Sequence, residues 1–142
     1  SNFLVRIGTP MAQLVEQAGG YNKNVGKIVA GGPMMGRAIV NDKIPVTKGS
    51  SGLLIISEDK AERKEEKDCI RCGKCVSACP MGLEPYLLST LVELKNWEKA
   101  AQLHIMDCIE CGCCTFSCPA NRPLIDLLKF GKFSLRKQST KK

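Results

Sequence analysis

The chain opens on an apolar run, Phe3-Leu4-Val5-Arg6-Ile7, that reads as a strand. Thr9 stands at a helix N-cap, with Pro10 at the first helical position, where the missing N–H costs nothing. Met11, Leu14, Val15 and Ala18 then recur at helical spacing, and Gly19-Gly20 ends that helix. Lys27–Ala30 is a short strand running into Gly31-Gly32-Pro33-Met34-Met35-Gly36, and Arg37–Val40 and Leu53–Ile56 read as two later strands. The pattern predicts a small α+β unit over residues 1–57, with one helix across a mixed four-stranded sheet. Residues 58–67 carry mixed charge and no apolar face. They form a solvated linker, or an exposed helix with pairs such as Asp59 with Arg63.

From Asp68 the rhythm changes. Pro85 opens a helix with Leu87, Leu88, Leu91 and Leu94 on one face. Asn96 caps a second that presents Trp97, Ala100 and Ala101, and Pro123 opens a third with Leu124, Leu127 and Leu128 as its stripe. These helices flank a repeat. Asp68–Pro80 and Asp107–Pro119 agree at eight of thirteen positions with an offset of 39 residues. Each copy reads C-x2-C-x2-C-x3-C-P, the run that binds [4Fe–4S] clusters in bacterial-type ferredoxins. Three closely spaced thiolates grip three irons of a cubane, and the fourth ligand comes from elsewhere. In two-cluster proteins the Cys-Pro cysteine of each run ligates the other cluster. Cys69, Cys72, Cys75 and Cys118 are therefore assigned to a first cluster, and Cys108, Cys111, Cys114 and Cys79 to a second. Hairpin-joined ferredoxins have shorter inserts between the runs, so residues 68–130 read as an all-α two-cluster domain followed by a basic tail over 131–142.

Composition narrows the field. Nine cysteines in 142 residues would suit a disulfide framework in a secreted chain, but no charged-then-apolar signal segment opens this one. Zinc sites favour paired C-x2-C hooks over three thiols at three-residue intervals followed by Cys-Pro. No apolar run approaches the ~20 residues of a membrane span. The formal net charge is +7. Each oxidised cubane with its four thiolates adds about −2, which leaves roughly +3 in a loaded chain. The basicity is largely counter-charge for the clusters, and the few aromatics argue against nucleic acid as partner.

Several residues bear on the clusters. Gly73 and Gly112 precede the third cysteine of each run, where positive φ would turn backbone N–H groups toward sulfur. Ile70 and Ile109 are placed to cover the cubanes, and Pro80 and Pro119 fix the chain direction beyond the cross-ligating thiols. Arg71 and Lys74 flank the first cluster, where Glu110 and Cys113 flank the second. A unit charge at ~8 Å and an effective dielectric of ~20 is worth roughly 2 kcal/mol. The first cluster is thus expected to be easier to reduce, unless these side chains point into solvent. Cys113 is a small residue packed on the loop, a substitute ligand for Cys111 or Cys114, or a reactive thiol. His104 has no second ligand nearby and reads as structural, on a helix face. Gly31–Gly36 and Lys48–Gly52 lack the Walker and dinucleotide fingerprints and read as tight turns. The segment from Lys129 onward reads as an amphipathic stretch resting on anionic lipid or a partner subunit, or as a frayed basic terminus.

The order Ile7-Gly8-Thr9-Pro10, Gly31-Gly32-Pro33-Met34-Met35-Gly36, Val46–Gly52, Cys69–Leu83 and Asp107–Pro119 resembles the C subunit of the Rnf (Rsx) electron transport complex over nearly the whole chain. The resemblance implies a β-grasp domain of the soluble-ligand-binding type before residue 57 and an α-helical ferredoxin after it. It implies a peripheral place on the cytoplasmic face of a bacterial inner membrane, other subunits of an ion-translocating complex as partners, and electron passage between NADH and ferredoxin. FMN and NADH would belong to an upstream domain that nothing here matches. The Ser1-Asn2 start without methionine reads as a fragment, so electron relay is expected without NADH oxidation of its own. Two other classes compete: the iron–sulfur subunit of a soluble dehydrogenase or heterodisulfide-reductase-like enzyme, and a cluster-bearing redox sensor.

Overall fold

A computed structural model describes residues 1–21, 24–62 and 64–139. The chain divides into two compact units, Ser1–Arg63 and Lys64–Lys142. In the first, helix α1 (Met11–Gln17) precedes strands β1 (Val25–Ala30), β2 (Arg37–Ile39) and β3 (Leu53–Ser57) and the short helix α2 (Glu58–Ala61). The sheet is antiparallel, in the order β2-β1-β3. Ile28 faces Ile39 on one side and Ile55 on the other, and Val29 faces Ala38 and Leu54. The Gly31–Gly36 stretch is the tight β1–β2 turn, with Gly36 N–H donating to the Gly32 carbonyl at 2.8 Å. Thr47 and Ser50 close the turn before β3, Ser50 N–H donating to the Thr47 carbonyl at 3.0 Å.

Two expectations for this unit are corrected. Among the described residues no strand covers 3–7, so the sheet has three strands and is not mixed. The chain turns at Ile7-Gly8 and meets Val46 instead: Gly8 N–H donates to the Val46 carbonyl and Val46 N–H to that of Thr9, both at 2.8 Å. Leu4 and Ile7 stay exposed, because the run has no ladder to join. Helix α1 starts one residue later than expected, with Pro10 at the cap, and it buries Met11 and Val15. A cavity of about 390 Å³ separates its Leu14 and Ala18 from Leu53 and Ile55 of β3. Residues 58–61 are an exposed helix, and the Asp59–Arg63 pair falls outside the described residues.

The second unit is helical. It contains α3 (Lys74–Ser77), α4 (Pro85–Glu93), α5 (Trp97–Gln102), a 3-10 turn (Ile105–Asp107), α6 (Cys113–Phe116) and α7 (Leu124–Ser139). Asn96 caps α5 as expected, its Oδ1 accepting from Lys99 N–H at 3.2 Å. Leu88, Val92, Ala100, Ile105 and Leu128 are buried together, and Trp97 meets Phe130 edge-on with ring centroids 6.0 Å apart. Each of the leucine, valine and isoleucine side chains contributes about 1.5–3 kcal/mol on burial. The buried face of α4 is Pro85, Leu88, Ser89 and Val92 with Leu91, while Leu94 lies beyond the helix end and is 72% exposed. His104 is not on a helix face: it takes a left-handed φ of 58° and its ring faces solvent near Asp107. Residues 65–67, expected as linker, are strapped to the loop after α6. Lys67 N–H donates to the Ala120 carbonyl at 2.9 Å and Asn121 Nδ2 to that of Glu65 at 3.1 Å.

The last helix runs unbroken across residue 130, where the sequence suggested a tail begins, and it buries Gly131 and Lys132. Gly131 and Val92 hold the same place in the two repeats, at the 39-residue offset, and they face each other where α4 crosses α7. A Cβ at Gly131 would stand 2.5 Å from Val92 Cγ2 and 2.8 Å from Ile105 Cδ1. Gly131→Ala gains about 1 kcal/mol of helix propensity but overpacks at about 1–3 kcal/mol. A net loss of up to about 2 kcal/mol is expected in denaturant unfolding of the second unit.

Candidate metal centre

The two cysteine runs fold alike because their backbones repeat. Gly73 (φ 73°) and Gly112 (φ 81°) are left-handed, as expected, and start the four-residue helices α3 and α6. Arg71 (φ 51°) matches Glu110 (φ 59°), and Gly82 (φ 64°) matches Asn121 (φ 52°), at the same offset. A left-handed residue that is not glycine costs about 1–2 kcal/mol. Arg71 and Glu110 carry that cost in both copies, which marks a turn that the site requires. Left-handed residues between right-handed ones turn successive N–H groups to one side, a concavity suited to anions. The N–H groups of Tyr86, Cys75 and Val76 indeed face the Cys75 sulfur, that of Glu110 faces Cys108, and that of Thr115 faces Cys114.

Helices α3 and α6 lie against each other and bring thiols of both runs together. Cys79, from the first run, lines one cavity with Cys108, Cys111 and Cys114 of the second, between apolar walls that include Leu83 and Leu128. Cys75 and Cys118, one from each run, pack beside Leu124, with Cys114 in the same buried group. Cys69 and Cys72 are exposed. All nine cysteines are free thiols. Among the described residues no three of these side chains close on a single ion-sized point. A cubane asks for less convergence, since each of its thiolates takes a different iron. The donor set of the Cys79 cavity fits such a group: three thiols from one loop, a fourth from the other repeat, N–H groups at sulfur, and apolar walls.

Burial raises three of these thiols. Cys114 is pushed up to about 11, and Cys75 and Cys108 rise for the same reason. They are protonated at neutral pH, so metal must displace their protons as it binds. Ile109 lines the cavity but is 53% exposed, and Ile70 is 69% exposed, so neither shields its loop as fully as expected. Cys113 is half-buried, and the Cys111 thiol hydrogen-bonded to it is the main cause of its raised pKa, with Cys79 also near. The ninth cysteine therefore belongs to the surroundings of the second thiol set.

The charge reading changes. Arg71 and Lys74 are exposed to solvent. Glu110 instead meets Lys132 of α7, whose Nζ lies 2.9 Å from Oε1 and donates to the Cys108 carbonyl at 2.6 Å. This bond holds the Glu110 carboxyl below the usual carboxylate range. The bare acid beside the second run, on which the expected difference in reduction rested, is a neutralised pair. Sequence periodicity gave no sign of it, because Lys132 sits in a run of basic residues that reads as surface.

The SLBB domain family matches residues 1–38, and a 4Fe-4S dicluster domain family matches residues 68–122. A second 4Fe-4S dicluster domain family matches residues 40–84. Over its full length the chain is 42% identical to the C subunit of the ion-translocating oxidoreductase complex of Rhodobacter capsulatus, of which it spans 27%. It is 44% identical over 101 residues (71% of this chain, 22% of the relative) to the C subunit of the proton-translocating ferredoxin:NAD(+) oxidoreductase complex of Clostridium ljungdahlii. It is 40% identical over 137 residues (96% and 31%) to the C subunit of the Na(+)-translocating ferredoxin:NAD(+) oxidoreductase complex of Acetobacterium woodii. The chain thus spans less than a third of the length of these relatives.

Proposed function

Because the chain belongs with the C subunits of the ion-translocating oxidoreductase complexes, as the homologue of one segment of them, we propose that it carries two [4Fe–4S] clusters and relays electrons within such a complex. The observation that carries the reading is Cys79 of the first run lining one cavity with Cys108, Cys111 and Cys114 of the second. Those four residues hold one cluster. Cys69, Cys72, Cys75 and Cys118 hold the other, and the packing of Cys118 against the buried group of Cys75 supports the exchange between runs. When bound, the clusters supply one-electron storage and transfer without bond chemistry. The chain's own contribution is placement. Thiols of the two sets adjoin at Cys75 and Cys114, N–H groups stabilise negative charge on sulfur, and apolar walls limit water.

The first unit fits a β-grasp domain of the SLBB type and the second an α-helical two-cluster ferredoxin. Among the described residues no helix is long and apolar enough to cross a membrane. The piece sits peripherally on the cytoplasmic side and depends on other subunits for anchorage, with ferredoxin and NADH as the ends of the electron path. Flavin and NADH bind elsewhere in the full protein. The test is anaerobic reconstitution with iron and sulfide analysis and EPR of the reduced chain. About eight irons per chain with two interacting paramagnets are expected. An iron content of about four, or a single isolated signal, would overturn the two-cluster reading.

A further inference from the structure

Lys132 is buried, 6% exposed, in the middle of α7, and the cluster reading gives it no part. An ammonium group leaves water only where partners replace its hydration. Here the partners are the Glu110 carboxylate at 2.9 Å and the carbonyl of Cys108 at 2.6 Å, so both lie on the loop that begins the second cysteine run. The preceding residue lets it reach them: Gly131 has no side chain, and α7 therefore comes against Val92 and Ile105.

The first repeat has no such device. At the 39-residue offset Glu110 corresponds to Arg71 and Lys132 to Glu93, so both charges are reversed. Arg71 is nevertheless exposed, and Glu93 pairs with Arg122 at 2.5 Å. Arg71 still adopts the same left-handed φ as Glu110. The turn itself does not need a buried cation, and so folding of the loop does not account for Lys132.

We propose that Lys132 is a positioning residue for the second cluster, its ammonium pinning the Glu110 carboxylate against the Cys108 backbone and cancelling its charge, so that this cluster is easier to reduce than it would be beside Glu110 alone. The inference rests on Cys79, Cys108, Cys111 and Cys114 holding that cluster. It is tested on the full chain, reconstituted anaerobically, by EPR-monitored redox titration of wild type, Lys132→Met, Glu110→Gln and the double variant, with iron counted in each. Lys132→Met keeps the apolar stem and removes the ammonium that meets Glu110. It should make the second cluster about tenfold or more harder to reduce, about 59 mV for one electron. Glu110→Gln should move the same midpoint the other way, the double variant should return toward wild type, and the first cluster should not shift. In the iron-free chain, amide exchange at residues 108–112 should quicken in Lys132→Met. Full iron with unmoved midpoints in the variants overturns the proposal and leaves the cluster reading intact. A wild-type chain with about four irons brings down both. If Lys132→Met does not fold, Glu110→Gln decides alone: an unmoved second midpoint overturns the proposal.

Discussion

Replacing Cys79 with serine is expected to abolish the second cluster and spare the first, although Cys79 stands in the first cysteine run. The side chain lines the cavity of Cys108, Cys111 and Cys114, and its loss leaves three thiols for a group that needs four. Iron should fall from about eight to about four per chain, and the spin–spin interaction in the reduced EPR spectrum should vanish. Cys118→Ser should do the reverse, because that thiol packs against the buried group that contains Cys75. The pair of variants is the decisive measurement. If Cys79→Ser instead removed the cluster of Cys69, Cys72 and Cys75, each run would be self-contained and the exchange between repeats would be wrong. Partial rescue by Cys113 has a visible signature: Cys79→Ser would keep about eight irons, and Cys79→Ser with Cys113→Ser would drop to about four.

Removing the iron should unfold the second unit far more readily and leave the first unit's transition in place. Metal bound only by the folded form stabilises by mass action, and structural metal–thiolate sites contribute on the order of 10 kcal/mol or more. Two separate thermal transitions should therefore move apart on chelation, with a loss of at least roughly ten degrees in the second. The iron-free second unit should also become less stable in alkali. Cys114, Cys108 and Cys75 have folded pKa values raised above the ordinary thiol value near 9, to about 11 for Cys114. Between about 9 and 11 the unfolded chain ionises Cys114 while the folded chain holds its proton, so stability present below 9 is lost as pH rises, and Cys108 and Cys75 add to the loss in the same direction. The loaded chain, whose thiolates are already bound to metal, should show no such slope. A flat alkaline profile for the iron-free chain would show that burial of these thiols has no energetic weight.

The repeated cysteine loops, α1, the three observed strands, the glycine turn and the α5 cap were all legible in sequence, because each is set by local spacing or a single conformational preference. Cys-x2-Cys spacing and the Gly before the third cysteine dictate the loop whatever surrounds it. What escaped depends on partners distant in sequence. The run Phe3–Ile7 has strand composition, yet pairing needs an edge, and Val46 takes the bonds of Gly8 and Thr9 instead. Charge next to a ligand is visible in sequence, but its effect is set by what faces it. Glu110 looked like a bare acid until Lys132, 22 residues on, came into view across a helix packing that only Gly131 permits. The left-handed turns at Arg71 and Glu110 were equally hidden, since neither residue type signals positive φ.

The crossing of α4 and α7 has a consequence for the ancestry of the ferredoxin-like half. Val92 and Gly131 are the same position in its two copies, and they touch. Two identical copies could not meet this way: valine against valine would collide, and glycine against glycine would leave a hole. A single motif expressed alone should therefore be unable to reassemble the domain by self-association. The two copies fit together at this crossing because they differ there.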